Sequence, residues 1–220
     1  MSEFITLNSE NFDATKYLVK EVLQNSGIAV LAAEHGYMYV CDAFSPLTIG
    51  KVHQIRRTDP ATASQVMVGK IEMAKGVAVD LDGEFLKLAD SFWPGLLTMQ
   101  LSPQPGLSWD LGDGGALAEF ALRIPSSAFL LAVLQEFGPV AVASASVFGR
   151  AATTNINYVP AIASDIGIYV DEGILQAGPA STVIRQQVIG TSNGLEIIRE
   201  GALSLADLQA VSSGICLATE

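Results

Sequence analysis

The chain has 220 residues, 23 acidic and 12 basic side chains, and a formal net charge of −11 at pH 7. This charge disfavours a broad nucleic-acid surface, because non-specific affinity for phosphates comes from Lys and Arg. The two cysteines, Cys41 and Cys216, lie far apart and outside any cluster with the two histidines, which disfavours a disulfide framework and a zinc site.

The apolar runs and the N-terminus favour a soluble, cytoplasmic protein. Half of the residues are hydrophobic and the mean hydropathy is +0.38, but the longest apolar runs, such as 128–134, fall well below the ~18 residues that cross a bilayer. The N-terminal MSEFITLNSENFD does not show the basic and then apolar layout of a secretory signal. At this length one hydrophobic core suffices, so we expect a single domain over residues 1–220.

The first half of the chain predicts helices mixed with strands. A capping Asn11 and an apolar stripe indicate the first helix, which Asn25-Ser26-Gly27 ends. Pro46 suits the first turn of a second helix, and Trp93-Pro94-Gly95 ends a third. The predicted elements are helix 11–25, strand 28–33, strand 37–41, helix 46–57, strand 65–68, helix 83–92 and strand 96–101.

The second half begins with the longest predicted loop, residues 102–115, which contains several prolines and glycines. Ser126 or Ser127 is the expected N-cap of the next helix, and Gly138-Pro139 is typical of its end. The remaining predicted elements are strand 119–124, helix 128–137, strand 140–143, strands near 166–170, 182–184 and 195–198, and helix 203–211. Several strands follow one another without a helix between them, which predicts an α/β or α+β domain with a mixed, twisted sheet.

Common catalytic signatures are absent from the sequence. It contains no G-x-x-x-x-G-K-[ST] phosphate loop, no dinucleotide-binding G-x-G-x-x-G after a strand and no G-x-S-x-G elbow. The basic residues Lys51, Arg56 and Arg57 lie near His53. This group is equally typical of a local anion pocket and of a solvated helix end, where cations complement the helix dipole.

Four segments together resemble the YrdC-like family, whose active members make threonylcarbamoyl-adenylate from ATP, bicarbonate and threonine. They are FWPGLLT at 92–98, LRIP at 122–125, ASAS with a following glycine at 143–149, and DEG, ASTV and IREGA between 171 and 202. These are similar to the family's F-W-P-G-P-L-T, V-R-V-P, T-S-A-N-x-S-G, D-G-G, P-S-T-V and L-R-x-G-A. The resemblance covers about residues 15–205 and implies one YrdC-like α/β domain, with a twisted mixed parallel and antiparallel sheet flanked by helices.

The resemblance also implies a nucleotide site in a cleft. Ser144 and Ser146 fall where the family's Ser and Asn contact the nucleotide, and hydroxyls can donate to adenylate oxygens at little charge cost. The implied ligand-binding residues are Tyr37, Arg56, Arg123, Ser144, Ser146, Ser181, Thr182 and Arg199. ATP and Mg²⁺ are implied by the resemblance only, together with an amino-acid ligand, and neither a catalytic residue nor a metal ligand is assigned.

The N-terminal third departs from the family pattern. The family's P-T-D-T-V-Y-G-L falls on residues 32–39, where only Tyr37 is retained. The family's K-x-R, which holds the triphosphate, falls on 56–58, so Arg56 keeps a charge, Thr58 loses one, and Arg57 is a candidate replacement. Losing one cation aimed at the leaving pyrophosphate costs about 10²-fold or more in rate, so these changes indicate an altered or lost activity.

Three functions stay open from the sequence. The first is a nucleotide-binding relative of L-threonylcarbamoyladenylate synthase, whose product feeds threonylcarbamoyladenosine formation in tRNA. The second is a non-catalytic binding module of the same fold, with double-stranded RNA as a ligand that the net charge disfavours. The third keeps carbamoyl or adenylyl chemistry with another amine, because Glu34 and His35 occupy the part of the cleft where the family holds threonine.

Overall fold

The computed structural model describes residues 2–58, 62–107, 109–116, 118–160, 166–187 and 194–218. The helices and strands are β1 (Glu3–Thr6), α1 (Phe12–Gln24), β2 (Ile28–Ala32), β3 (Tyr37–Asp42), α2 (Pro46–Arg56), β4 (Gln65–Met67), α3 (Ile71–Val77), α4 (Gly83–Phe92), β5 (Leu97–Leu101), β6 (Phe120–Arg123), α5 (Ala128–Phe137), β7 (Val140–Ser144), β8 (Ile166–Asp171), β9 (Thr182–Gln186), β10 (Leu195–Arg199), α6 (Leu205–Gln209) and β11 (Cys216–Leu217). Among the described helices, none combines the length and the apolar character that membrane crossing requires.

The described strands form one sheet of eleven strands in the order β1-β8-β2-β3-β7-β4-β6-β5-β9-β10-β11. The sheet contains both parallel pairs, such as β2 with β8 and β5 with β9, and antiparallel pairs, such as β3 with β7. This arrangement confirms the predicted mixed sheet.

Both faces of the sheet are covered by helices. Along β2, Ile28 and Val30 belong to one apolar cluster, whereas Ala29 and Leu31 belong to a second, because successive side chains of a strand point to opposite faces. Residues of α2, α3 and α4 pack into the first cluster, and residues of α1 and α5 pack into the second. The core therefore consists of two layers, one on each side of the sheet.

The structure departs from the predicted elements in a few places. The strand β1 and the helix α3 were not expected, since β1 is four mostly exposed residues and α3 is seven residues that include Gly76. The predicted helix 203–211 is too long, because a capping box between Ser204 and Asp207 starts α6 only at Leu205. Ser127 occupies the expected N-cap position of α5, but its side chain makes no capping hydrogen bond.

Tyr37 connects β3 to the turn that follows β8. It is fully buried, and its hydroxyl donates to the carbonyl oxygen of Gly173 at 2.7 Å and accepts the N–H of Glu172 at 3.0 Å. Burial raises the pKa of this phenol, so the group stays neutral and keeps its proton for donation. The contacts of Tyr37 therefore hold the end of β8 against β3.

Glu172 gives the fold a pH-dependent stability. Burial raises the pKa of this carboxyl to about 7 from the usual 4.5, and its Oε1 is buried with no hydrogen-bond partner among the described residues. Between these two pH values the folded chain holds a proton that the unfolded chain has lost, so stability falls as the pH rises through this window. We expect Glu172→Gln to raise the Tm at pH 8, and to raise it much less at pH 5.

Thermal unfolding at pH 5 and pH 8 measures this difference, with Glu200→Gln at an exposed position as the control. An equal change in Tm at both pH values would show that the Glu172 carboxyl does not titrate as described.

Candidate functional site

Two adjoining cavities contain most of the implied ligand-binding residues. The large cavity, about 410 Å³, is lined by residues 33–36 after β2, residues 150–152 and 154 after β7, residues 177–181 before β9, and several single side chains. The small cavity, about 150 Å³, lies between the C-terminal end of α2 and residues 62–65. Met38, Gln65 and Ser144 line both cavities, so the two spaces meet at the end of β7.

A buried ion pair forms part of the wall of the large cavity. Nη1 of Arg123 lies 3.1 Å from Oε2 of Glu34, with side chains only 5% and 11% exposed. The other carboxylate oxygen, Oε1 of Glu34, accepts the N–H of Ser126 at 2.8 Å and its hydroxyl at 3.2 Å. Burial raises the pKa of Glu34, but the Arg123 charge and the Ser126 hydrogen bonds outweigh it and lower the pKa below its usual value.

The large cavity also contains Arg150 and Arg199. Nη2 of Arg199 donates to the carbonyl oxygen of Ser181 at 2.8 Å and to its hydroxyl at 3.1 Å, and that hydroxyl lies 2.8 Å from Oγ1 of Thr98. Among the described lining residues Glu34 is the only carboxylate, against three arginines. The cavity is therefore positively charged within an acidic chain.

His35 holds one wall of the large cavity in place. Its Nδ1 lies 3.0 Å from the carbonyl oxygen of Gln176 and donates its proton there. Gly178 packs against the imidazole so closely that a Cβ at this position would lie 2.6 Å from the ring. Any larger residue at 178 would push the segment away from His35.

Among the described residues that line the small cavity, Arg56 is the one permanent cation. Its Nε donates to the carbonyl oxygen of Ser146 at 3.3 Å. His53 lies 3.1 Å from the hydroxyl of Ser64 through Nε2, and burial lowers the pKa of this imidazole, so it is neutral at pH 7. Nδ1 of His53 and Oγ1 of Thr58 are buried without a hydrogen-bond partner among the described residues.

The structure brings five of the eight implied residues to the cavities: Arg56, Arg123, Ser144, Ser181 and Arg199. It does not bring Tyr37, Ser146 or Thr182 to either cavity. The Ser146 hydroxyl donates to the carbonyl oxygen of Arg150 at 3.1 Å, and the Thr182 hydroxyl donates to that of Leu203 at 2.6 Å. These hydroxyls hold the neighbouring loops rather than facing the cavity space.

The sequence did not predict Arg150 as a cavity residue, and it suggested Arg57 as a replacement for the charge that is missing at position 58. Arg150 directly follows Gly149, the glycine of the T-S-A-N-x-S-G resemblance, and this adjacency was the available signal. Arg57 ends α2 in the left-handed conformation, with φ of 56°, and does not line either cavity. Arg57 therefore does not replace the charge that is missing at Thr58.

Comparison with known proteins identifies relatives of the whole described fold. A family model named Sua5_yciO_yrdC, described as telomere recombination, matches residues 21–201. A protein of Mycobacterium leprae, provisionally assigned as a threonylcarbamoyl-AMP synthase, is 27% identical over 190 residues, or 86% of this chain and 84% of that protein.

Solved structures share the fold at low sequence identity. A Sua5 variant from P. abyssi superposes with a TM-score of 0.86 at 21% identity, and P. abyssi Sua5 complexed with L-threonine with 0.79 at 20%. Both comparisons cover 99% of this chain and 62% of the Sua5 chain, so this chain spans less than two thirds of their length. E. coli YciO superposes with 0.79 at 17% identity, over 94% of this chain and 100% of that chain.

The buried Glu34–Arg123 pair should contribute strongly to stability. Neutralising one member leaves the other charge buried and uncompensated, so we expect Glu34→Gln to lower the free energy of unfolding by about 3 kcal/mol at pH 7. Because the folded pKa of Glu34 is lowered, its contribution is present above the usual carboxyl pKa and lost as the pH falls through the folded pKa. Urea unfolding at pH 7 and pH 3 should therefore show the two proteins converging at the acidic pH.

Glu84→Gln is the matched control, since Glu84 pairs with Lys87 at the exposed surface, where ion pairs contribute little. If both variants lose the same stability at pH 7, the Glu34–Arg123 pair is not the buried, structure-holding interaction described above.

Proposed function

The chain belongs to the Sua5/YciO/YrdC family, and we propose that it binds ATP and an amino acid in the two adjoining cavities, as a relative of threonylcarbamoyl-AMP synthase. The observation that carries this proposal is the concentration of cations inside the cavities of an acidic chain. Arg56, Arg123, Arg150 and Arg199 are four of only 12 Lys and Arg residues, and the net charge is −11. Such an arrangement attracts an anionic ligand into a pocket and not onto a broad surface.

The dimensions and polarity of the cavities support a ligand of this kind. The large cavity, about 410 Å³, lies within the ~300–1,000 Å³ that small-molecule sites occupy. The polyphosphate would lie against Arg56 in the small cavity, at the position that corresponds to the family's triphosphate-holding motif. Ser144, in the wall of both cavities, would donate its hydroxyl proton to an oxygen at their junction.

The amino acid would occupy the large cavity. One P. abyssi Sua5 structure was solved with L-threonine, and in this chain the large cavity offers both charges that a zwitterion requires. Arg150 and Arg199 would bind the carboxylate, while Glu34 would accept hydrogen bonds from an amine or carbamate nitrogen. His35, which stands where the family has a threonine, would keep the 176–180 wall closed over this ligand.

Magnesium would arrive with the nucleotide. Among the described residues, no group of three or more His, Cys, Asp or Glu side chains could hold a metal ion. Mg²⁺ commonly binds through substrate phosphates and a few carboxylates or waters, so the phosphates would supply most of its ligands. The cation would neutralise phosphate charge that Arg56 alone leaves uncompensated.

The reaction, if retained, would depend on positioning and electrostatics. A threonine carbamate must lie in line with the α-phosphate while positive groups stabilise the departing pyrophosphate. In the small cavity Arg56 supplies a positive charge, whereas His53 is neutral and Thr58 is uncharged. We therefore propose nucleotide binding with slow turnover, and we do not propose double-stranded RNA binding, because the described arginines of the site lie in cavities too small for a duplex.

Calorimetric titration tests the nucleotide site directly. We expect ATP with magnesium to bind with a micromolar Kd, and L-threonine with bicarbonate to tighten this binding because the two ligands would lie in adjoining cavities and contact each other where the cavities meet. A product assay for threonylcarbamoyl-AMP and pyrophosphate then measures turnover. The absence of heat with every combination would contradict the proposed function.

Two substitutions test the assigned residues. Ser144→Ala and Arg199→Ala should each weaken ATP or amino-acid binding by about 1–3 kcal/mol, as expected for a lost hydrogen bond to a charged group. Arg57→Ala is the matched control, since Arg57 is next to the site in sequence but lines neither cavity. If all three variants bind with the affinity of the wild type, the cavities are not the ligand site.

A further inference from the structure

An exposed aromatic side chain, Phe148, lies beside Arg56 of the small cavity, although it lines neither cavity itself. Phe148 lies in the tight turn after β7, in which the Arg150 N–H donates to the carbonyl oxygen of Val147 at 3.1 Å. Gly149 adopts a φ of 78°, which glycine allows without strain. The Ser146 hydroxyl closes the same turn through the carbonyl oxygen of Arg150. Phe148 is thus presented by a short, internally hydrogen-bonded turn.

The turn connects the cations of the two cavities. Arg150 lines the large cavity, and Arg56 lines the small one. The backbone N–H of Phe148 donates to the carbonyl oxygen of Arg56 at 2.9 Å, and the Arg56 guanidinium lies over the Phe148 ring, 5.9 Å from its centroid. The ring therefore lies next to the group that would bind phosphate.

Despite these contacts, the Phe148 side chain is not part of the core. It is 48% exposed, next to Val147 at 40%. Position 148 matches the second serine of the family's T-S-A-N-x-S-G, so this chain places a large π surface where the family pattern has a hydroxyl. Aromatic rings next to positively charged groups can bind nucleobases by stacking, since every base has a face that stacks.

We propose that Phe148 is the base-binding residue of this site: it stacks on the nucleobase of the nucleotide whose phosphates Arg56 binds. The inference rests on the proposed function and assigns a binding residue to the nucleobase, the part of ATP for which the cavities provide no assigned contact. Stacking recognises the face of the base rather than its hydrogen-bonding edge. Phe148 would therefore select nucleotides over inorganic polyphosphates, with little preference between ATP and GTP.

The test compares two ligands that differ only in having a nucleoside. Binding of Mg-ATP and of Mg-tripolyphosphate is measured by calorimetry for the wild type, Phe148→Ala and Phe148→Trp. We expect Phe148→Ala to weaken ATP binding about tenfold, the loss typical of one stacked base, and to change tripolyphosphate binding less than twofold. Phe148→Trp should bind ATP at least as well as the wild type, because its ring offers a larger stacking surface.

Tyr158→Ala is the matched control, since Tyr158 is an exposed aromatic residue, 75% accessible, outside the 146–150 turn that holds Phe148 beside Arg56. Equal losses for ATP and tripolyphosphate in Phe148→Ala would show that Phe148 acts by holding Arg56, which overturns the inference. Unchanged ATP binding in Phe148→Ala overturns the inference as well. In both cases the proposed function still holds, provided that the wild type binds ATP and tripolyphosphate. If the wild type binds neither ligand, the proposed function itself fails.

Discussion

The buried pair of Glu34 and Arg123 is the interaction on which the site depends. A guanidinium can be buried only when a carboxylate or equivalent hydrogen bonds compensate its desolvation, and Glu34 lies 3.1 Å away to do so. The same carboxylate accepts two hydrogen bonds from Ser126, 92 residues further along the chain. One side chain thus joins the segment after β2, the end of β6 and the start of α5, and the first two of these contribute residues to the wall of the large cavity.

Residues of the N-terminal third that depart from the family pattern make further contacts around this pair. The Ser127 hydroxyl makes no cap for α5, and instead donates to the carbonyl oxygen of Ala32 at 3.0 Å, close to Glu34. His35 fixes the opposite wall through Gln176 and Gly178. Glu34 and His35, which differ from the family pattern, therefore both take part in contacts that hold the walls of the large cavity.

The sequence was sufficient for the elements with clear periodicity and strong end signals. The bounds of α4 and α5 agree with the prediction because Gly83 and Trp93-Pro94 delimit the first, and Gly138-Pro139 ends the second. Pairing between distant residues could not be predicted in the same way. Nothing in the spacing of Glu34 and Arg123 indicates their contact, and Arg150 belongs to no periodic pattern.

The motif resemblance indicated a set of candidate residues but could not separate those that hold the fold from those that line the cavities. Tyr37 and Thr182 match the family pattern, yet their hydroxyls are saturated by backbone groups of neighbouring turns. A match to the family pattern shows that the residue type is the same, and both a structural role and a ligand-binding role require that residue type. Only the direction of the side chain distinguishes the two.

The arginines of the site differ in what holds them, and this difference determines how much charge each can offer a ligand. Arg123 shares its charge with Glu34, so an anion in the large cavity gains little from it. Arg199 and Arg56 are held by the carbonyl oxygens of Ser181 and Ser146, which orient a guanidinium without neutralising it. Because preorganised positive groups stabilise phosphate or carboxylate most when no protein carboxylate competes for them, phosphate recognition should depend on Arg56 and carboxylate recognition on Arg150 and Arg199, while Arg123 maintains the wall of the large cavity.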